Sequence, residues 1–150
     1  MTLLIDEVGP DERALAGVFY LRGLVRHDMH ELEDALSDAE RALEIYADFV
    51  NAHALRGSVY LDMDRYEQAV ESLDRAVELA PRYAWALAQR GEALCLLGRY
   101  EESLTDLTRS LDLDDGNEHA LSTRSLIHYG LRDYESAVAD ITRALEIRPE

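Results

Sequence analysis

A 34-residue period constrains this chain more than any other feature. Stepping the stretch 50–83 forward by 34 turns Leu55-Arg56-Gly57 into Gln89-Arg90-Gly91, and Arg65-Tyr66-Glu67 into Arg99-Tyr100-Glu101. One step back gives Leu21-Arg22-Gly23 and Glu31-Leu32-Glu33; one more forward gives Thr123-Arg124-Ser125 and Asp133-Tyr134-Glu135. The copies follow in register without insertion, at 16–49, 50–83, 84–117 and 118–150, after an extension at 1–15. A fixed period of this length means stacked supersecondary units, each too small to bury its apolar face without its neighbours.

Within a copy the pattern predicts two helices, over residues 50–63 and 66–79 in the second. Small residues recur where the two must approach: Gly23, Gly57, Gly91 and Ser125 on the first; Ala35, Ala69, Ser103, Ala137 and then Ala42, Ala76, Ser110, Ala144 on the second. Large apolar residues (Leu43, Val77, Leu111, Leu145) flank them at i+1, completing one broad apolar face per helix. Pro81 and Pro149 close the second helix in two copies, since proline cannot continue a helical ladder. Ahead of the first copy, Gly9-Pro10-Asp11-Glu12 predicts a helix start near Pro10, with acids at the positive end of the helix dipole.

These columns resemble the tetratricopeptide repeat family, a 34-residue helix–turn–helix unit. The family's small residue, opening tyrosine, two alanines and closing proline stand at Gly57, Tyr66, Ala69, Ala76 and Pro81. Departures lie at the turns and ends: Ala47 and Asp115 replace the proline, Leu32 the tyrosine and Ser125 the glycine. The resemblance implies an all-α, right-handed superhelical solenoid of four helix pairs. It also implies a non-catalytic protein-binding scaffold, with first helices lining a concave groove.

Two arginine columns mark this chain. Arg22, Arg56, Arg90 and Arg124 sit beside the small residue, facing the second helix, where a charge needs a partner. Asp38, Asp106 and Asp140 recur at one position of that helix; the second copy offers Ser72 there, with Glu71 or Asp74 nearby. The other column, Arg41, Arg75, Arg109 and Arg143, precedes an acid by three residues and reads as solvated helix pairs.

The formal charge of −16 argues against nucleic acid, whose phosphates demand clustered cations, and disfavours anionic membranes, while 47% apolar residues exclude disorder. Lysine is absent, which points to a GC-rich coding genome and nothing more; a bacterial source is a separate expectation. A lone Cys95 forms no disulfide within the chain, and the acidic start lacks the cationic region of a signal peptide. A cytoplasmic protein without cofactor is expected. His27 and His30 lack further ligands, so no metal is expected there. In 112–118 the glycine comes one place early for a calcium loop and Thr123 stands where the bidentate acid belongs. No residue set implies catalysis.

Projection of the first helices gives the expected peptide-binding groove: Tyr20, Leu24, Asn51, Leu55, Ser58, Trp85, Gln89, Glu92, His119, Ser122, Leu126 and Tyr129. Trp85, the single tryptophan, is its natural anchor. Some family members clamp a partner's terminal carboxylates with cations. The corresponding residues here (Tyr20, Leu24, Leu55, Trp85, Gln89, or Ala54, Ser58, Gln89, His119, Thr123) are not cationic, so a chaperone-tail partner is not expected. An amphipathic helix or extended apolar peptide, with basic residues meeting the acidic rim, fits better. The alternatives are a self-association module or an accessory domain of a larger, even enzymatic, assembly. The last copy's Ala137, Ile141 and Ala144 have no following helix, and Leu3, Leu4 and Ile5 are apolar. These are the candidate residues for a homodimer contact.

Overall fold

The computed structural model describes residues 8–147. It contains α1 (Pro10–Asp28), α2 (Leu32–Ile45), α3 (Val50–Asp62), α4 (Tyr66–Leu79), α5 (Ala84–Leu96), α6 (Tyr100–Leu113), α7 (Glu118–Gly130) and α8 (Tyr134–Ile147). There is no strand among the described residues. Leu3, Leu4 and Ile5 lie outside them.

The helices form four antiparallel pairs stacked in one direction. Each odd helix packs on the even helix that follows it and, after α1, also on the even helix before it and on the preceding odd helix; the backbones of the even helices stay apart from one another. The odd helices therefore form the inner layer of an all-α solenoid and the even helices the outer one. The apolar core runs as a chain of clusters along the stack. One centres on Leu73, Leu87, Val70 and Val77, another on Leu107, Leu111, Leu121 and Ile127.

Close approach within a pair depends on the small column. A Cβ on Gly57 would lie 2.5 Å from Leu73 Cγ, and one on Gly91 2.7 Å from Leu107 Cγ. The turn inside each pair places a residue in the left-handed region at the same register: His30 (φ 59), Asp64 (φ 58), Gly98 (φ 75) and Arg132 (φ 63). Only the third copy meets this demand with glycine.

The arginine column beside the small residues forms a ladder of forked pairs. Arg22 holds both oxygens of Asp38 at 2.6 and 2.9 Å. Arg90 does the same to Asp106 at 2.6 and 2.8 Å, and Arg124 to Asp140 at 2.8 and 2.6 Å. All three aspartates are buried, with the guanidinium carrying the pair out to the rim. The second copy differs. Arg56 Nε donates to Ser72 Oγ at 3.0 Å, and neither Glu71 nor Asp74 serves it. Asp74 instead accepts from Arg90 Nη1 at 2.8 Å, so the acid expected within one repeat ties that repeat to the next.

The second arginine column also does more than form helix pairs. Arg75 and Arg143 meet Glu78 and Glu146. They also donate back to the preceding inter-repeat loop, at Asp48 (2.7 Å) and Asp115 (3.2 Å). Arg109 donates to the Pro81 carbonyl at 3.2 Å in the equivalent loop rather than pairing with Asp112. Stacking puts that loop beside the outer helix, a neighbour that no i,i+3 rule can see.

Candidate functional site

The inner layer carries a cavity of about 270 Å³ where α1, α3 and the start of α5 meet. Tyr20, Leu24 and His27 come from α1, Asn51, Ala54, Leu55 and Ser58 from α3, and Tyr83 and Trp85 from the entry to α5. Ala54, Leu55 and Ser58 are buried and make the floor. Trp85 is 39% exposed on the wall, its ring centroid 5.9 Å from that of Tyr83. Burial raises the Tyr83 phenol above its ordinary range. No lysine or arginine lines the cavity.

Six of the residues projected from the sequence meet here: Tyr20, Leu24, Asn51, Leu55, Ser58 and Trp85. Tyr83 was missed because it precedes α5 and escapes a helical projection. The aromatic residue recurs one repeat earlier at Phe49, which packs on the cluster of Ala16, Ala42, Leu43 and Ala52; that repeated aromatic position was the available signal.

The other projected residues divide. Gln89, Glu92 and His119 belong to a line of polar bridges between successive inner helices. These are His27 Nε2 to Asp62 at 2.7 Å, Ser58 Oγ donating to Gln89 Oε1 at 3.4 Å, and His119 Nε2 to Glu92 at 2.8 Å. The hydrogen bond that His119 donates to the Glu92 carboxylate raises the imidazole above its ordinary value. Ser122 and Leu126 lie elsewhere, in a depression of about 330 Å³ at the α7–α8 end of the stack, with Ser125, Ile141, Ala144 and Leu145. Tyr129 is exposed near the end of α7, its ring 5.8 Å from that of Tyr134. Ala137 is buried within its own pair and offers no surface, while Val138 and Leu145 are exposed beside it.

His27 is taken by Asp62, and His30 sits in the left-handed turn. Among the described residues, no three His, Cys, Asp or Glu side chains gather as a metal site. In 112–118, Asp114 accepts from the Gly116 amide at 3.2 Å and Asn117 caps α7 by accepting from the Ala120 amide at 3.0 Å. Asp114 and Asn117 shape a turn and a helix cap. Burial raises the Cys95 thiol, which disfavours the reactive thiolate. No described helix is long and apolar enough to cross a membrane.

A stack of helix pairs whose inner helices line a groove, repeating every 34 residues, defines an α-solenoid. Tetratricopeptide repeat models match residues 48–115 and 119–150, and the chain belongs to that family. Among solved structures, MamA (residues 41 to the end) from Desulfovibrio magneticus RS-1 superposes with a TM-score of 0.79 at 20% identity, over 88% of this chain and 75% of that one. The tetratricopeptide domain of Arabidopsis OM64 gives 0.76 at 18% identity, covering 79% and 98%. The second such domain of human RPAP3, solved with the HSP70 peptide SGPTIEEVD, gives 0.71 at 28% identity, covering 79% and 98%. No curated protein matches.

Proposed function

We propose that this chain is a non-catalytic, cytoplasmic protein-interaction scaffold whose inner groove takes up an apolar segment of a partner protein flanked by cationic residues. One observation carries the reading. The cavity at Trp85 joins exposed aromatic and aliphatic walls to a few hydrogen-bonding groups, and the carboxylate of Asp62 stands beside it, 2.7 Å from the lining residue His27. A concave apolar site with few polar groups is the usual form of a recognition pocket, and a part-exposed tryptophan its usual anchor.

The RPAP3 domain was solved with a peptide ending in Glu-Glu-Val-Asp. Transfer of that ligand class is disfavoured by a chain charge of −16 and a cavity without cations. The same charge disfavours nucleic acid as a partner.

Because Trp85 is the single tryptophan, its emission reports the groove directly. Titration with a leucine–lysine amphipathic peptide should shift that emission saturably, and SGPTIEEVD should not. A Leu24→Glu variant should lower the affinity about 30-fold, the equivalent of about 2 kcal/mol. Tight binding of the acidic peptide, or no effect of the substitution, would reject the reading.

A further inference from the structure

We propose that copies of this chain join head to tail, the outer face of α1 on one copy seating between α7 and α8 of another, so that the solenoid runs on across the molecular boundary. The two faces are the two halves of the joint that already links every pair of neighbouring repeats.

On α1, Val18, Leu21 and Val25 are exposed at 62%, 59% and 58%. One repeat later the same register holds Ala52, Leu55 and Val59, all buried. Leu55 and Val59 pack against Ala35 and Ala39 of α2, and Ala52 against Ala42 and Leu43. At the other end, Val138, Ile141 and Leu145 of α8 are exposed. Their equivalents Val70, Leu73 and Val77 are buried in the cluster that includes Leu87 and Leu94 of α5. An inner helix always sits in the furrow made by the preceding pair, touching both of its helices. The 330 Å³ depression lined by Ser122, Ser125, Leu126, Ile141, Ala144 and Leu145 is that furrow at the last pair.

The arginine ladder supplies an independent, polar mark of the same register. In the third and fourth repeats the forked arginine keeps one nitrogen for the preceding outer helix: Arg90 Nη1 donates to Asp74 at 2.8 Å, and Arg124 Nη1 to Thr108 at 3.3 Å, whereas the unforked Arg56 of the second repeat turns to Ser72 and His53. Arg22 holds Asp38 with Nε and Nη2, leaving Nη1 for the same use. The position equivalent to Asp74 and Thr108 on α8 is Thr142, and it is exposed. A second copy is therefore the occupant that satisfies both the apolar stripe and the hydrogen-bonding register.

The two faces are different, so the contact is heterologous and propagates or closes as a ring; it cannot be a two-fold dimer. The charge of −16 on each copy opposes association, and added salt screens it.

Two variants test this on the full chain, each at an exposed site that the fold leaves free: Leu21→Arg blocks the head and Ile141→Arg the tail. Sedimentation in moderate salt should show the unaltered protein growing in mass with concentration beyond two copies. Each variant alone should remain at 17.0 kDa. An equal mixture should form a dimer of twice that mass, joined through the intact head of one and the intact tail of the other. Three results would overturn the proposal: a monomer at every concentration, self-dimerisation of Leu21→Arg through a tail-to-tail contact, or an assembly lost on Trp85→Ala and unaffected by the two end variants.

Discussion

Leu73 fills the space that a side chain at Gly57 would need, its Cγ 2.5 Å from the position of a Cβ built there. The first and second helices of that repeat touch through this vacancy, with Leu73 fully buried. Gly57→Ala should therefore force the pair apart and cost about 1–3 kcal/mol of unfolding free energy, read by urea titration. Combining it with Leu73→Ala should cost less than the two changes summed, because the second opens room for the first.

Asp106 is the buried member of a pair whose guanidinium also reaches Asp74. Asp106→Ala should destabilise by about 3 kcal/mol, since it leaves Arg90 desolvated with half its partners gone. Replacing both by apolar residues, Arg90→Met with Asp106→Leu, should recover most of that loss in the same denaturation assay. Failure of the double variant to recover would mean the ladder contributes stability beyond its own desolvation cost.

Two histidines should give the protein a stability maximum near the ordinary imidazole value of 6.5. His119 is raised by its hydrogen bond to Glu92. Its contribution is complete below 6.5 and is lost as pH climbs through the raised value. His53 is lowered chiefly by burial, its ring held against the Ala47 carbonyl at 2.7 Å. Its contribution is complete above 6.5 and falls away as pH drops towards the lowered value, because the unfolded chain takes up the proton first. Histidine NMR titrations should place His119 above 6.5 and His53 below it. His119→Gln should flatten the alkaline limb alone.

The left-handed turn residues offer a gain. His30→Gly and Arg132→Gly remove a side chain from φ near +60°, which saves about 1–2 kcal/mol of strain against about 0.5–1 kcal/mol of added chain entropy. Each should raise the melting temperature slightly. Gly98→Ala, with φ at 75°, should lower it.

The architecture was legible because periodicity is a one-dimensional signal. Gly57 with Tyr66, Ala69, Ala76 and Pro81 specifies a helix pair, and the 34-residue step specifies how pairs stack. The forked partners Asp38, Asp106 and Asp140 were legible for the same reason, lying a constant 16 residues from their arginines. Contacts between repeats were not. The bond from Arg90 to Asp74, those from Arg75 and Arg143 to the loop acids, and Tyr83 on the cavity wall depend on how far one pair is rotated and shifted against the last. Packing at the joints sets that rotation, and no spacing within one helix encodes it. The same geometry divided the projected groove, gathering Tyr20 through Trp85 into one cavity and leaving Ser122 and Leu126 in the furrow at the far end. Sequence alone determined which helices form and in what order they stack; tertiary structure decided which of their faces meet, because burial is a property of neighbours and not of residues.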